Sequence, residues 1–209
     1  MLEEVTRRWV VGWAHSRGIN VGTVEGWPIA HVRTVSRAWE IICAEPVPET
    51  WEALLDDIAG DRTAMLTVVA AEPGPYLAQV RPPVRVERDD EWLMRCDLAA
   101  GGDAPVPAYD VQREEEGDQR LVVRLVRDER VAAEGYVAVR GHDAVFDRIE
   151  TTPEFRRQGL AGWVMRDLAG YAVGQGATTG LLTASASGAA LYTSLGWERV
   201  SPVRSLMGS

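Results

Sequence analysis

From position 120 to 150, apolar and polar residues alternate in short runs broken by tight polar turns. Residues 121–127 and 131–140 flank Asp128-Glu129-Arg130, which predicts a hairpin. Gly141-His142-Asp143 then turns the chain into a further strand over 144–150. That strand stops at Thr151-Thr152-Pro153, because proline withdraws a backbone donor from the ladder. The period then changes. Leu160, Trp163, Val164, Leu168 and Tyr171 recur at helical spacing, giving one apolar stripe on a helix of roughly four turns. A strand over 179–184, a short helix over 187–195 and the pair Gly196-Trp197 follow.

The first half is patterned differently. Residues 2–16 predict a helix closed by Arg17-Gly18, with Val5, Trp9 and Trp13 on its core face. Gly26-Trp27-Pro28 reads as a turn, and residues 29–33 and 38–43 as a strand pair around Thr34-Val35-Ser36. A helix over 51–59 follows, with Thr50 as its expected N-cap and Gly60 as its stop. Strands are expected over 64–70 and 92–98, with Pro73-Gly74-Pro75 and Pro82-Pro83 between them. The small, Gly/Pro-rich stretch 99–105 is the clearest boundary, dividing the chain into regions 1–100 and 106–209. The charge run 113–119 is expected to be a solvated hairpin loop.

Composition narrows the class. A chain of 209 residues, 46% hydrophobic and 25% charged, has ample material for a core and the profile of a globular protein. No apolar run approaches the roughly twenty residues that span a bilayer. The acidic start, Met1-Leu2-Glu3-Glu4, lacks the layout of a signal peptide, so a cytoplasmic setting is expected. Cys43 and Cys96 are isolated from each other and from histidine, so neither a disulfide framework nor a metal site is expected. The net charge of −9 disfavours nucleic acid and anionic membranes as partners and would steer a cationic amine toward the protein. Against that trend, Arg148, Arg156, Arg157 and Arg166 form a basic island.

The island surrounds the turn between the strand ending near Glu150 and the helix beginning near Leu160. A first helical turn leaves backbone N–H groups without partners, and the macrodipole adds positive charge there. A phosphate can accept those donors where the backbone is approachable, as at Gly159, with Ala161 and Gly162 keeping the next positions small. Arg156 and Arg157 can add charge-assisted bonds.

The run Arg156-x-x-Gly159-x-Ala161 between strand and helix resembles the pyrophosphate loop of the GNAT acyltransferases, the N-acetyltransferases that use acetyl-CoA. Ala190-Leu191-Tyr192-Thr193-Ser194-Leu195-Gly196-Trp197 is similar to the family's Ala-x-x-Leu-Tyr-x-x-x-Gly-Phe region, with Trp197 where Phe is usual. The resemblance covers about residue 106 to the C-terminus. It implies an α+β fold with a mixed, mostly antiparallel central sheet flanked by helices. The first half is then an additional α/β region, either a degenerate copy of that fold or a cap. The family usually places two helices between its first two strands. If the first strand is 106–113, no room remains for them before Leu121, so the acceptor pocket must draw on other parts of the chain.

The resemblance also implies chemistry: direct attack of an amine on the acetyl-CoA thioester within a ternary complex. Tyr192 matches the family tyrosine that protonates the leaving thiolate, and Glu150 stands where members often carry a carboxylate base. A core tyrosine and a Glu150–Arg148 pair or solvated edge charge are the competing structural readings. His15, His31 and His142 are alternatives to Glu150 on chemistry alone. The backbone at Ile149 is placed to polarise the thioester carbonyl. The implied cofactor contacts are Ile149, Thr151, Arg156, Arg157, Gln158, Gly159, Leu160, Ala161, Gly162, Ser185 and Ser187. Ser185 falls at the family's Asn position, and a simple helix N-cap is the leading alternative reading of Ser187. The expected acceptor is a small-molecule amine. Two alternatives stay open: a CoA-binding sensor or structural module without catalysis, and an acetyltransferase of protein lysines or N-termini. A homodimer is also left open.

Overall fold

Trp51, Leu54 and Ile58 recur one helical turn apart, and together they close the core of the first half. The computed structural model describes residues 1–99 and 108–209, so most of the expected boundary at 99–105, and the start of the expected strand at 106, lie outside the described residues. The chain forms two compact units that interleave along the sequence. The first comprises Met1–Met94, Thr183–Ala190 and Arg199–Ser209; the second comprises Arg95–Leu182 and Leu191–Glu198. Among the described residues, no helix is long and apolar enough to cross a membrane.

In the first unit, α1 (Leu2–Arg17) is followed by β1 (Val21–Val24), β2 (Trp27–Ala30), β3 (Trp39–Ala44), α2 (Pro48–Ala59), β4 (Ala64–Val69), α3 (Gly74–Leu77) and β5 (Arg85–Asp97), whose last residues pass into the second unit. Gly26 closes the β1–β2 turn, but Trp27 and Pro28 belong to β2 rather than to the turn. β3 and β4 run parallel, joined by α2, which packs on Ile41, Cys43, Leu66 and Val68. The helix begins at Pro48 with Val47 at its N-cap. Thr50, the expected cap, lies inside the first turn, because proline's fixed φ and missing N–H suit the opening position.

On another side of this sheet lies a buried polar row. Thr67 donates to Glu40 at 2.6 Å, its hydroxyl lies 2.8 Å from that of Ser205, and Arg37 pairs with Glu40 at 2.7 Å. Ser205 comes from β11 (Glu198–Met207), a strand that the sequence reading did not find. It pairs antiparallel with β4, Met207 opposite Met65 and Val203 opposite Val69. Residues from the far end of the sequence thus complete the first unit's sheet.

In the second unit, β6 (Asp110–Glu115), β7 (Arg120–Arg127), β8 (Arg130–Arg140) and β9 (Asp143–Thr151) form an antiparallel run in sequential order. β10 (Thr179–Ser185) joins β9 in parallel over Thr179–Leu181 opposite Asp143–Val145. The connection between them is α4 (Leu160–Gly174); α5 (Ala186–Ser194) follows β10, and Thr183–Ala190, the end of β10 and the opening of α5, count with the first unit. This is the mixed, mostly antiparallel α+β arrangement expected. Arg113–Glu115, assigned to a loop from its charge, is instead strand: Arg113 leaves the sheet edge to hold Asp167 of α4 with two bonds of 2.6 and 2.8 Å.

Candidate functional site

The loop at the centre of the sequence argument lies between β9 and α4. A short 3-10 turn, Pro153–Phe155, leads into it. Gly159 sits at the helix N-cap with φ +76°, the left-handed region that glycine enters without steric cost. A Cβ there would meet nothing within 4 Å, so the glycine is required by its backbone conformation and leaves an open approach to the helix end. No side chain caps α4. Its opening N–H groups and the positive end of its dipole are therefore left for an anion. Arg156, Arg157 and Gln158 are exposed beside it, Arg156 donating through Nε to the Thr151 carbonyl at 3.2 Å. Leu160 and Gly162 are buried and Ala161 half-buried, which roots the first turn.

The loop is braced by residues that the sequence reading did not single out. The Tyr109 hydroxyl donates to Gln158 Oε1 at 2.9 Å, and its ring meets Phe155 edge-on at 6.2 Å. Arg130 lies over the Phe155 ring and pairs with Glu154 at 2.5 Å. No short-range pattern announces these contacts, because Tyr109 is far from the loop in sequence.

β9 carries the second feature. Glu134 lies opposite Glu150 and Tyr136 opposite Asp147, so Arg148 and Ile149 stand against the single residue Gly135. This β-bulge breaks the alternation of side chains. Phe146 faces the core, edge-on to Trp197 at 5.2 Å, while Glu150 shares the opposite face with Asp147. Unbroken alternation along β9 would put Glu150 on the face of Phe146; the bulge reverses that. Arg148 takes φ +50°, and its N–H donates to Asp147 Oδ1 at 3.0 Å. Gly135 makes the close approach possible: a Cβ there would come within 2.5 Å of Ile149 Cδ1 and 2.7 Å of Val164 Cγ1. A lone glycine inside a strand pattern was the available signal for such a feature.

Tyr192 is buried, its ring 6.1 Å from that of Trp197. Burial, and then the charge of Asp147, push its hydroxyl up to about 12, so it carries its proton at neutral pH and can serve as an acid. Glu150 is exposed and Thr151 half-buried. Ser185 and Ser187, both exposed, lie in the segment of the first unit that ends β10 and opens α5. Their hydroxyls are 3.1 Å apart, and the Gly188 N–H donates to Ser185 Oγ at 3.3 Å. Ser185, not Ser187 as expected, therefore caps this helix.

Residues 106–208 match the family model of the acetyltransferase (GNAT) domain. No curated protein sequence matches the chain. Among solved structures, a GCN5-related N-acetyltransferase from Kribbella flavida is similar over 100% of this chain and 95% of its own, with 14% identity and a TM-score of 0.67. A protein of the GNAT family from Novosphingobium aromaticivorans is similar over 98% and 96%, with 21% identity and a TM-score of 0.62. A tandem GNAT protein from the clavulanic acid biosynthesis pathway is similar over 88% and 80%, at 12% identity and a TM-score of 0.54. At these identities the likeness is one of fold, and it extends through the first half of the chain. The C-terminal half, residues 106–208, belongs to the GNAT superfamily of acetyltransferases.

Proposed function

We propose that this acetyltransferase moves the acetyl group of acetyl-CoA to the amine of a small molecule, and that residues 106–209 carry the catalytic machinery. The observation that carries the reading is the uncapped start of α4 behind a left-handed Gly159, with Arg156 and Arg157 beside it. That corner suits a diphosphate: backbone donors from Gly159 to Gly162, two guanidinium groups, and no Cβ in the approach.

Acetyl-CoA supplies an activated acyl thioester. The free amine attacks its carbonyl carbon, a C–N bond forms, the C–S bond breaks, and the electron pair leaves on sulfur. The bulge at Arg148–Ile149 takes a stretch of β9 out of the regular ladder, which suits the Ile149 N–H for polarising the carbonyl. Tyr192, protonated well above neutral pH, supplies the proton that the departing sulfur needs. The acceptor arrives as an ammonium, and its proton passes to Glu150 directly or through water.

Calorimetric titration with acetyl-CoA tests the anion corner, and release of free CoA thiol across a panel of primary amines tests the transfer. Saturable heat with amine-dependent thiol release is expected. Binding without thiol release from any amine would refute the catalytic reading.

A further inference from the structure

The sheet face opposite α4 in the second unit carries a run of charge that the loop does not use. Arg124 bonds Glu114 at 2.9 Å and Glu134 at 3.3 Å, so those two carboxylates are matched by one guanidinium. Glu150 lies opposite Glu134, and next along the face come Tyr136 and Asp147, paired across β8 and β9. Over them lies Arg148. Its guanidinium carbon is 3.5 Å from the Tyr136 ring centroid, and its Nε is 3.4 Å from Asp147 Oδ2. An aromatic face and a carboxylate converging on one organic cation are the elements of an ammonium or guanidinium seat. Arg148 stands at the bulge, outside the regular strand pairing, so its side chain can swing without breaking the ladder. The Asp147 side chain is 11% exposed and that of Arg148 36% exposed, so the anion is sheltered while the cation over it reaches solvent.

We propose that Asp147 and the ring of Tyr136 form the seat for the cationic group of the acceptor, and that Arg148 competes with the acceptor for that seat. This rests on the acyl-transfer reading above and assigns its acceptor a class: a small organic cation, with no carboxylate next to the reacting amine. A carboxylate there would face Asp147 and Glu150 at close range. The position fits the chemistry. Asp147 lies near enough to Tyr192 for its charge to act on that hydroxyl, and it directly precedes the two bulged residues. An amine held at Asp147 is thus close to the carbonyl-polarising backbone.

The seat makes predictions of opposite sign for adjacent residues. With the best amine of the panel, Asp147→Asn should raise KM by roughly tenfold or more, the loss of a charge-assisted bond. Arg148→Met should lower KM severalfold, because a competitor has been removed. Acetyl-CoA affinity should be unchanged in both. On the wild-type protein, ethylguanidinium should inhibit competitively against the amine and not against acetyl-CoA, a measurement that needs no variant to fold. A wild-type KM in Asp147→Asn, a raised KM in Arg148→Met, or ethylguanidinium that does not compete with the amine would overturn the seat while leaving acyl transfer intact. A wild-type protein that binds acetyl-CoA and acetylates no amine would take down both.

Discussion

Replacing Gly135 by alanine tests whether the packing beneath the bulge sets the anion loop. Gly135 is buried in β8, and the nearest atoms an added methyl would meet belong to Ile149, Val164 and Leu168 rather than to residues 156–159, so its effect on binding travels through packing. An added methyl would lie 2.5 Å from Ile149 Cδ1, 2.7 Å from Val164 Cγ1 and 3.1 Å from Leu168 Cδ1. Two of these neighbours are on α4, whose N-terminus is the loop, and the third is at the bulge. Overfilling a core costs about 1–3 kcal/mol, and alanine returns roughly 0.5–1 kcal/mol of the entropy that glycine loses in a strand. Taken at the middle of each range, the net loss is about 1 kcal/mol, or a Tm about 2–4 °C lower for a protein of this size. Thermal melting with and without acetyl-CoA measures both consequences: the lower Tm, and a smaller stabilisation by ligand as α4 is pushed off its seat. Adding Ile149→Val removes the nearest clashing atom while keeping the backbone N–H, and should recover part of each. A Gly135→Ala protein that melts and binds like wild type would refute the coupling between this packing and the loop.

Gly159→Glu should abolish acetyl-CoA binding through a left-handed φ, bulk and charge together, and calorimetry showing wild-type affinity would remove the loop from the mechanism. Tyr109→Phe deletes the donation to Gln158 and should weaken acetyl-CoA binding about three- to tenfold, a loss of roughly 1 kcal/mol. Tyr192→Phe should depress turnover with acetyl-CoA affinity held; wild-type rates would exclude the hydroxyl as the acid. Tyr192 also makes a pH prediction. Its folded-state value, about 12, lies above the ordinary value near 10, so the folded protein holds this proton more tightly than the unfolded chain. The corresponding stability is intact below about pH 10 and is lost as pH rises toward 12. Urea midpoints should therefore fall more steeply between about pH 9.5 and 11.5 in wild type than in Tyr192→Phe, and parallel lines would contradict the assignment.

The parts of this protein legible in its sequence are those written in local patterns. Leu160, Trp163, Val164 and Leu168 announce α4 by spacing, Gly159 marks its start, and alternation around Asp128-Glu129-Arg130 gives the β7–β8 hairpin. Features set by distant pairing were hidden. The bulge exists because β8 lies against β9, and it alone decides that Glu150 shares a face with Asp147. β11 was missed because Pro202 interrupts it; there the proline's carbonyl accepts the Ala70 N–H at 3.2 Å, and the strand is held by β4. Arg113 was assigned to a solvated loop by its charged neighbours, whereas its partner Asp167 lies on a helix much later in the chain. Thr50 lost the cap to Val47 because Pro48 starts the helix three residues sooner.

The interleaving of the two units bears on how the chain can be made. A ribosome ordinarily lets an N-terminal domain fold while later residues are still being added. Here β4 lacks its antiparallel neighbour until residues 199–209 have been synthesised, and Gly208 must then slot beside the carbonyls of Ile58 and Asp61, where a Cβ would collide with both. Until that moment the nascent sheet offers a raw edge of Met65, Leu66 and Val68 to any passing strand. Protein released from a stop codon after Glu198 should accumulate in aggregates rather than as a soluble first unit.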